Sequence, residues 1–157
     1  MTAANVWLRL LPRALDNTFD GYRISLWIFG FVTLIRAFQS MVIIFNGWST
    51  VVNADGVPLG SYPTDAAQTV LALFAAASLW RLIFCLMGLV ALIRYRSAVP
   101  LLFALSIVSY LGGILLFAFI PLVRVGAPPG PIVNFIQFIL MVIGLALSLI
   151  PRRSSLQ

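Results

Sequence analysis

Two arginines stand inside stretches of the chain that are otherwise almost entirely apolar. Arg36 lies 12 residues from the start of the first apolar segment, and Arg81 lies 12 residues from the end of the second. A guanidinium stays protonated in proteins, and its planar set of N–H donors matches the oxygens of carboxylates and phosphates. These two residues therefore predict a place where an anion or a strong hydrogen-bond acceptor is bound.

Other polar side chains fall at the same depth as the two arginines. Tyr110 is 11 residues from the start of the third apolar segment, and Gln137 is 13 residues from the end of the fourth. If consecutive segments are helices that run in opposite directions, the four depths agree to within about 3 Å at 1.5 Å per residue. Gln39 lies about one helical turn after Arg36. We expect one ligand-binding site, formed by Arg36, Arg81, Tyr110, Gln39 and Gln137.

The residue types that enzymes use most are missing from the chain. It has no histidine, no lysine and no glutamate, and its four aspartates lie outside the apolar segments. This composition argues against a haem held by two histidines, a histidine zinc site and a Ser-His-Asp triad. It also argues against a serine–lysine pair, an aspartate-pair protease and an exporter that relays protons through an intramembrane acid. We therefore expect a protein that is not an enzyme and that carries no cofactor and no metal.

Four apolar segments must position these residues. Of the 157 residues 62% are hydrophobic and only 9% are charged, which is far from the composition of a soluble domain. A helix crosses a bilayer with about 20 mostly apolar residues. The segments that meet this length are residues 24–45, 66–93, 99–120 and 132–150. We predict an all-α polytopic membrane protein, with an antiparallel four-helix transmembrane bundle over residues 24–150, an amphipathic or interfacial segment at 1–23 and a tail at 151–157.

The distribution of arginines predicts the orientation of this bundle. Four spans place both ends on one side, and that side carries seven arginines, whereas the other carries only Arg124. The seven are Arg9, Arg13, Arg23, Arg94, Arg96, Arg152 and Arg153. By the positive-inside rule we expect an integral protein of a bacterial inner (plasma) membrane with both termini cytoplasmic. Because orientation accounts for most of the arginines, the basic composition does not predict binding of nucleic acid.

Small residues recur at spacings of three or four, which keeps them on one face of a helix. Ser109 and Gly113 in the third segment, and Gly144 and Ser148 in the fourth, are the predicted helix-packing positions, because small side chains let helices approach closely. Only five residues separate the second and third segments. We expect a tight turn over residues 94–98 and two neighbouring helices.

Two regions outside the segments carry weaker patterns. Near the amino terminus Trp7, Leu11, Leu15 and Phe19 share one helical face, which predicts an interfacial helix or a solvated cap packed on the bundle. Residues 46–65 contain an Asp-Gly turn signal flanked by valines. This pattern predicts a small hairpin, an ordered lid or a passive loop.

The two arginines pose a problem of charge, because no carboxylate lies in the segments. Compensation can come from backbone carbonyls with Tyr110, Gln39 and Gln137, from water, from an acidic residue of a partner subunit, or from an anionic ligand. Local bonding and water without a ligand is the simplest of these. Two functions follow: an accessory or assembly subunit of a membrane complex, or a protein that binds or transports an anionic or carbonyl-bearing amphiphile such as a lipid, a quinone or a small anion. The expected partners are membrane lipids, with a partner membrane subunit or a second copy of the chain.

Overall fold

The computed structural model describes residues 10–12 and 14–151, and this part of the chain is helical without strands. Five α-helices lie wholly within it, and two short 3-10 turns, Leu59–Ser61 and Arg96–Ala98, connect them. The helices are α1 (Arg23–Phe45), α2 (Gly47–Asn53), α3 (Thr64–Arg94), α4 (Val99–Phe119) and α5 (Gly130–Leu149). Four of them, all except α2, are long and apolar enough to cross a membrane. Their ends lie within two residues of the predicted segments, so the four long helices are confirmed.

The four long helices differ in how closely they pack against one another. α1 packs along both α3 and α5, and α4 packs along α5, whereas α3 and α4 contact each other only sparsely. The expectation that the second and third segments pack as neighbours is therefore wrong, although the tight turn between them is present. Gly144 of α5 allows α4 to pack closely, because its missing side chain leaves the space that the ring of Phe103 fills. This contact holds α4 against α5.

A cluster of apolar side chains lies where the helices converge. At its centre the rings of Phe29 and Phe103 meet edge to face, with 5.1 Å between their centroids and an angle of 74°. Such a pair adds roughly 0.5–1.5 kcal/mol beyond the area that it buries. The buried members of the cluster are Phe29, Val32, Ala91, Ala98, Val99, Leu102, Phe103 and Met141.

The segment between α1 and α3 is ordered, but it is not a hairpin. We call residues 47–61 the cap; it consists of α2, a turn at Gly56 with φ of +74°, and a 3-10 turn. The Asp-Gly signal marked the turn correctly, while Val51 and Val52 lie in α2 rather than in a strand. The predicted hairpin is wrong because a helix of seven residues begins directly after α1. Three buried side chains, those of Val51, Val57 and Leu59, pack the cap against α3 and Leu122.

The cap is also bonded to the connection between α4 and α5. The N–H of Val125 donates to the carbonyl oxygen of Gly56 at 2.8 Å, and the N–H of Gly130 donates to that of Ala54 at 2.9 Å. At the other end of the helices, the N–H of Tyr22 donates to the carbonyl oxygen of Leu147 at 3.1 Å. Backbone bonds therefore tie the helices together at both ends.

The interfacial helix predicted near the amino terminus does not extend over residues 14–22, which form bends and irregular backbone. Asp16 accepts hydrogen bonds from both the N–H and the hydroxyl of Thr18, at 3.1 and 2.6 Å, and such local bonds compete with helix formation. Phe19 packs against the central cluster, whereas Leu11 and Leu15 are exposed. Residues 1–9, 13 and 152–157, which include the rest of this prediction and most of the predicted tail, lie outside the described part.

Candidate functional site: an arginine-lined cavity

Arg36 and Gln137 are joined directly across the contact between α1 and α5. The Nε–H of Arg36 donates to Oε1 of Gln137 at 3.2 Å, and the Gln137 side chain is only 2% exposed. The same amide has a buried Nε2 that makes no hydrogen bond within the described residues. The Nε edge of the Arg36 guanidinium is thus held in place, and the buried Nε2 of Gln137 beside it lacks an acceptor.

Arg81 of α3 is joined to Arg36 through a serine. Its Nε donates to the hydroxyl of Ser40 at 3.0 Å, and its Nη2 donates to the hydroxyl of Ser78 at 3.2 Å. The Ser40 hydroxyl in turn donates to the main-chain oxygen of Arg36 at 2.9 Å. A continuous set of polar contacts therefore crosses α3, α1 and α5.

All the acceptors that the two guanidiniums use within the described chain are neutral oxygens, and none is a carboxylate. The positive charge of Arg81 nevertheless acts on Asp55, a half-buried residue of the cap. Burial raises the pKa of Asp55 above its ordinary value, and the positive charges of Arg81 and Arg124 oppose this rise only in part. Arg81 therefore has an acidic group in its electrostatic surroundings.

Two of the predicted site residues are not bonded to either arginine. The ring of Tyr110 stacks on Phe138 of α5, with 4.5 Å between centroids. Gln39 is half-buried, and its Oε1 is a buried acceptor without a hydrogen bond in this part of the chain. Of the five expected residues, the structure joins Arg36 to Gln137 directly and Arg81 to Arg36 through Ser40.

The predicted packing positions divide into two groups. Gly144 and Ser148 of α5 are buried, Gly144 against the ring of Phe103 and Ser148 against Gly21. Ser109 of α4 is exposed, and a Cβ added at Gly113 would meet no atom within 4 Å. The expectation that Ser109 and Gly113 pack closely against another helix is wrong for the described part of the chain, because Ser109 is exposed and the space beside Gly113 is open.

A cavity lies beside Arg36, where four helices converge. Its enclosed space is about 20 Å³, enough for about one water molecule, and its volume is about 320 Å³ when the open mouth is included. Its lining is Phe29, Val32, Thr33 and Arg36 from α1; Phe84, Cys85 and Gly88 from α3; Phe103 and Ser106 from α4; and Met141 from α5. α3 and α4 both contribute to this lining but contact each other only sparsely.

The cavity has apolar walls with several polar groups that have no partner. Arg36 bonds through Nε alone, so its two terminal nitrogens make no hydrogen bond to any described residue. The hydroxyls of Thr33 and Ser106 also make none within this part of the chain. A site with mostly apolar walls and a few unpaired polar groups suits a ligand that is largely hydrophobic and carries an acceptor at one point.

Four hydroxyl-bearing residues of this arrangement lie in the polar stripes that the sequence predicts on the facing sides of the helices, although they are not among the five predicted site residues. Ser40 and Ser78, which bond Arg81, and Thr33 and Ser106, which line the cavity, all fall at three- or four-residue spacings from the predicted site residues. That spacing was a usable signal for the four hydroxyls. No local pattern marks Asp55 of the cap as electrostatically coupled to Arg81.

Comparison of the chain with protein-family models, with curated proteins and with solved structures found no match. The proposals below therefore depend on the residues and geometry of this chain.

Proposed function

We propose that the chain is an integral protein of a bacterial inner (plasma) membrane, an antiparallel four-helix bundle with both termini cytoplasmic. Three observations support this: the four apolar helices, the bias of seven arginines against Arg124, and backbone bonds that join the start of α1 to the end of α5. A phosphatase inserted after Gly56 should be active, because that enzyme requires export, and one fused after Gln157 should be inactive. The opposite pattern would contradict the orientation.

We propose further that the protein binds an amphiphile in the cavity, with an acceptor-bearing head at Arg36 and an apolar chain against the aromatic walls. One observation carries this proposal: Arg36 lines a cavity together with Thr33 and Ser106, and its terminal nitrogens lack a partner in the described chain. A charged donor that lies within a bilayer without an acceptor costs free energy. A ligand that supplies the acceptor removes this cost.

The role we propose is binding or carriage rather than catalysis. The polar groups that line the cavity are hydrogen-bond donors or weakly acidic groups: the guanidinium, two hydroxyls and the thiol of Cys85. No carboxylate or imidazole among the lining residues offers a general base. Such a set orients and holds an acceptor, and it suits a protein that sequesters, presents or moves a membrane-soluble molecule.

Mass spectrometry of small molecules that co-purify with the protein tests this function. We expect a bound amphiphile in the wild type, its loss in Arg36→Gln, and its retention in the control Arg94→Gln, since Arg94 lies exposed at the end of α3. Thr33→Val, which keeps the shape of the side chain and removes the hydroxyl, should weaken retention without unfolding the protein. A wild-type protein with no bound amphiphile, or equal binding by all four proteins, would contradict the function.

A second candidate function, an accessory or assembly subunit of a membrane complex, is favoured by one feature of α4. Ser109 and Gly113 form a small-xxx-small pattern on a face that no described helix covers. In membranes such faces allow a second helix to approach closely. Gly113→Leu should abolish cross-linking to a partner subunit or a second copy while leaving the co-purified amphiphile unchanged. Cross-linking that is equal in both proteins would remove this candidate.

A further inference from the structure

We infer that the head group at Arg36 is a carboxylate, as in a fatty acid. This inference rests on the proposed amphiphile function and narrows it to one ligand class. It follows from which guanidinium has free donors, from the absence of a carboxylate among the described residues that bond Arg36, and from the hydroxyl-bearing residues that line the cavity.

The two arginines differ in which of their donors are occupied. Arg81 donates through Nε and Nη2, the pair on one side of its guanidinium, to Ser40 and Ser78. Arg36 donates only through Nε, to Gln137, and its two terminal nitrogens bond no described residue. Those two nitrogens form the end of the guanidinium that can bind both oxygens of a carboxylate through parallel hydrogen bonds. Arg36 is therefore the receptor, and Arg81 is already engaged.

The surrounding charges favour a ligand with one negative charge. Asp55 lies in the cap, where the positive charges of Arg81 and Arg124 act on it. None of the described residues that form a hydrogen bond with the Arg36 side chain is a carboxylate. A carboxylate supplies one charge and two acceptors, which one guanidinium end satisfies. A phosphate monoester brings about −1.5 to −2 charges and three acceptor oxygens, and it would need more donors.

Neighbouring donors provide further hydrogen bonds for a carboxylate. The hydroxyls of Thr33 and Ser106 line the same cavity, and the buried Nε2 of Gln137 belongs to the amide that holds Arg36. A carboxylate oxygen has capacity for more than one hydrogen bond, so these groups and the guanidinium can be satisfied together. A neutral ester keeps the carbonyl acceptor but loses the charge and the second equivalent oxygen.

The cavity leaves the chain of such a ligand outside its enclosed space. That enclosed space is about 20 Å³, enough for about one water molecule, and the volume reaches about 320 Å³ only when the open mouth is included. Phe84 of α3 and Phe103 of α4 both belong to the lining, and these two helices contact each other only sparsely. We therefore place the head group in the mouth beside Arg36 and the chain between α3 and α4.

Equilibrium binding to protein in phosphatidylcholine nanodiscs tests the inference, with empty nanodiscs subtracted. The probes are oleate, methyl oleate and oleyl phosphate, which share a chain and differ in the head. Oleate should bind at least about tenfold more tightly than methyl oleate, as expected for hydrogen bonds to a charged group. This ratio should fall to about twofold or less in Arg36→Gln and stay unchanged in Arg94→Gln.

The outcomes separate this inference from the function on which it rests. Equal binding of oleate and methyl oleate would overturn the carboxylate assignment and leave amphiphile binding intact, and tighter binding of oleyl phosphate would assign the head to phosphate instead. Binding of none of the three would count against the proposed function as well.

A measurement on the wild type alone keeps the inference testable if Arg36→Gln fails to fold. The carboxyl ¹³C signal of labelled oleate reports the ionisation of the acid as the pH changes. A carboxylate beside a guanidinium stays charged to lower pH, because the positive charge favours the ionised form. The titration of protein-bound oleate should therefore move to lower pH than that of oleate in empty nanodiscs, and an unmoved titration would overturn the proposal.

Discussion

Gly144→Ala should destabilise the protein by forcing the ring of Phe103 out of its place. A Cβ at position 144 would lie 2.6 Å from Cε1 of Phe103, so the ring must retreat by at least about 0.8 Å to reach ordinary contact at 3.4 Å. Phe103 is fully buried and meets Phe29 edge to face, which leaves little room for that movement. Overpacking of this kind costs about 1–3 kcal/mol, while alanine gains about 1 kcal/mol over glycine in a helix. The net loss should be about 0–2 kcal/mol.

Gly113→Ala is the matched control, because it makes the same chemical change in a helix where an added Cβ meets nothing within 4 Å. It should stabilise the protein by about 0.5–1 kcal/mol through helix propensity alone. The two variants should therefore differ by about 1–3 kcal/mol. Cys85, the only cysteine in the chain, is 2% exposed, so its labelling by a maleimide during titration with SDS reports unfolding. If Gly144→Ala proved as stable as Gly113→Ala, the proposed reason for the contact between α4 and α5 would be wrong.

Three further predictions concern the segments outside the long helices. Burial raises the pKa of Asp55 in the folded protein above its value in the unfolded chain. The neutral carboxyl therefore contributes its full stability at pH values below the pKa of the unfolded chain, and this contribution is lost as the pH rises through the pKa of the folded protein. Thermal melts should show this loss in the wild type and not in Asp55→Asn. Hydrogen bonds from Thr18 lower the pKa of Asp16 in the folded protein. The ionised carboxylate therefore stabilises the fold at pH values above the pKa of the unfolded chain, and this effect is lost as the pH falls through the pKa of the folded protein. In Thr18→Ala the titration of the Asp16 carboxyl, followed by NMR, should move to higher pH. Ser97→Ala removes the acceptor of the Asp16 N–H bond at 3.0 Å and should lower stability by about 0.5–1.5 kcal/mol; a melting temperature equal to that of the wild type would contradict this.

The helices were predictable because the signals for them are local. Apolar runs of about 20 residues mark the four long helices, and Pro100 and Pro131 lie in the first turns of α4 and α5, where a missing N–H costs nothing. The contact between Arg36 and Gln137 could also be predicted from the sequence, because the rise per residue of a helix converts a residue count into a position along the helix. This position was enough to predict the contact, since α1 and α5 pack along each other.

The rest of the site depends on how each helix is rotated and on which helices touch. Tyr110 lies in α4 as predicted, yet its ring stacks on Phe138 of α5, and neither arginine bonds it. α3 and α4 both line the cavity but contact each other only sparsely, which the five-residue connection between them does not indicate. The coupling of Asp55 to Arg81 joins positions far apart in the chain through the fold of the cap. Such long-range features have no signature in local periodicity.

Photolabelling of the cavity tests the proposed binding of an amphiphile most directly. A fatty acid with a diazirine midway along its chain would be photolysed in membranes that contain the protein, and labelled positions would be mapped by mass spectrometry. We predict labels at Phe84, Phe103 and Met141, competed by excess oleate and absent in Arg36→Gln. Labels confined to outward-facing side chains such as Leu115, which is 60% exposed, and unaffected by oleate would contradict the proposed site.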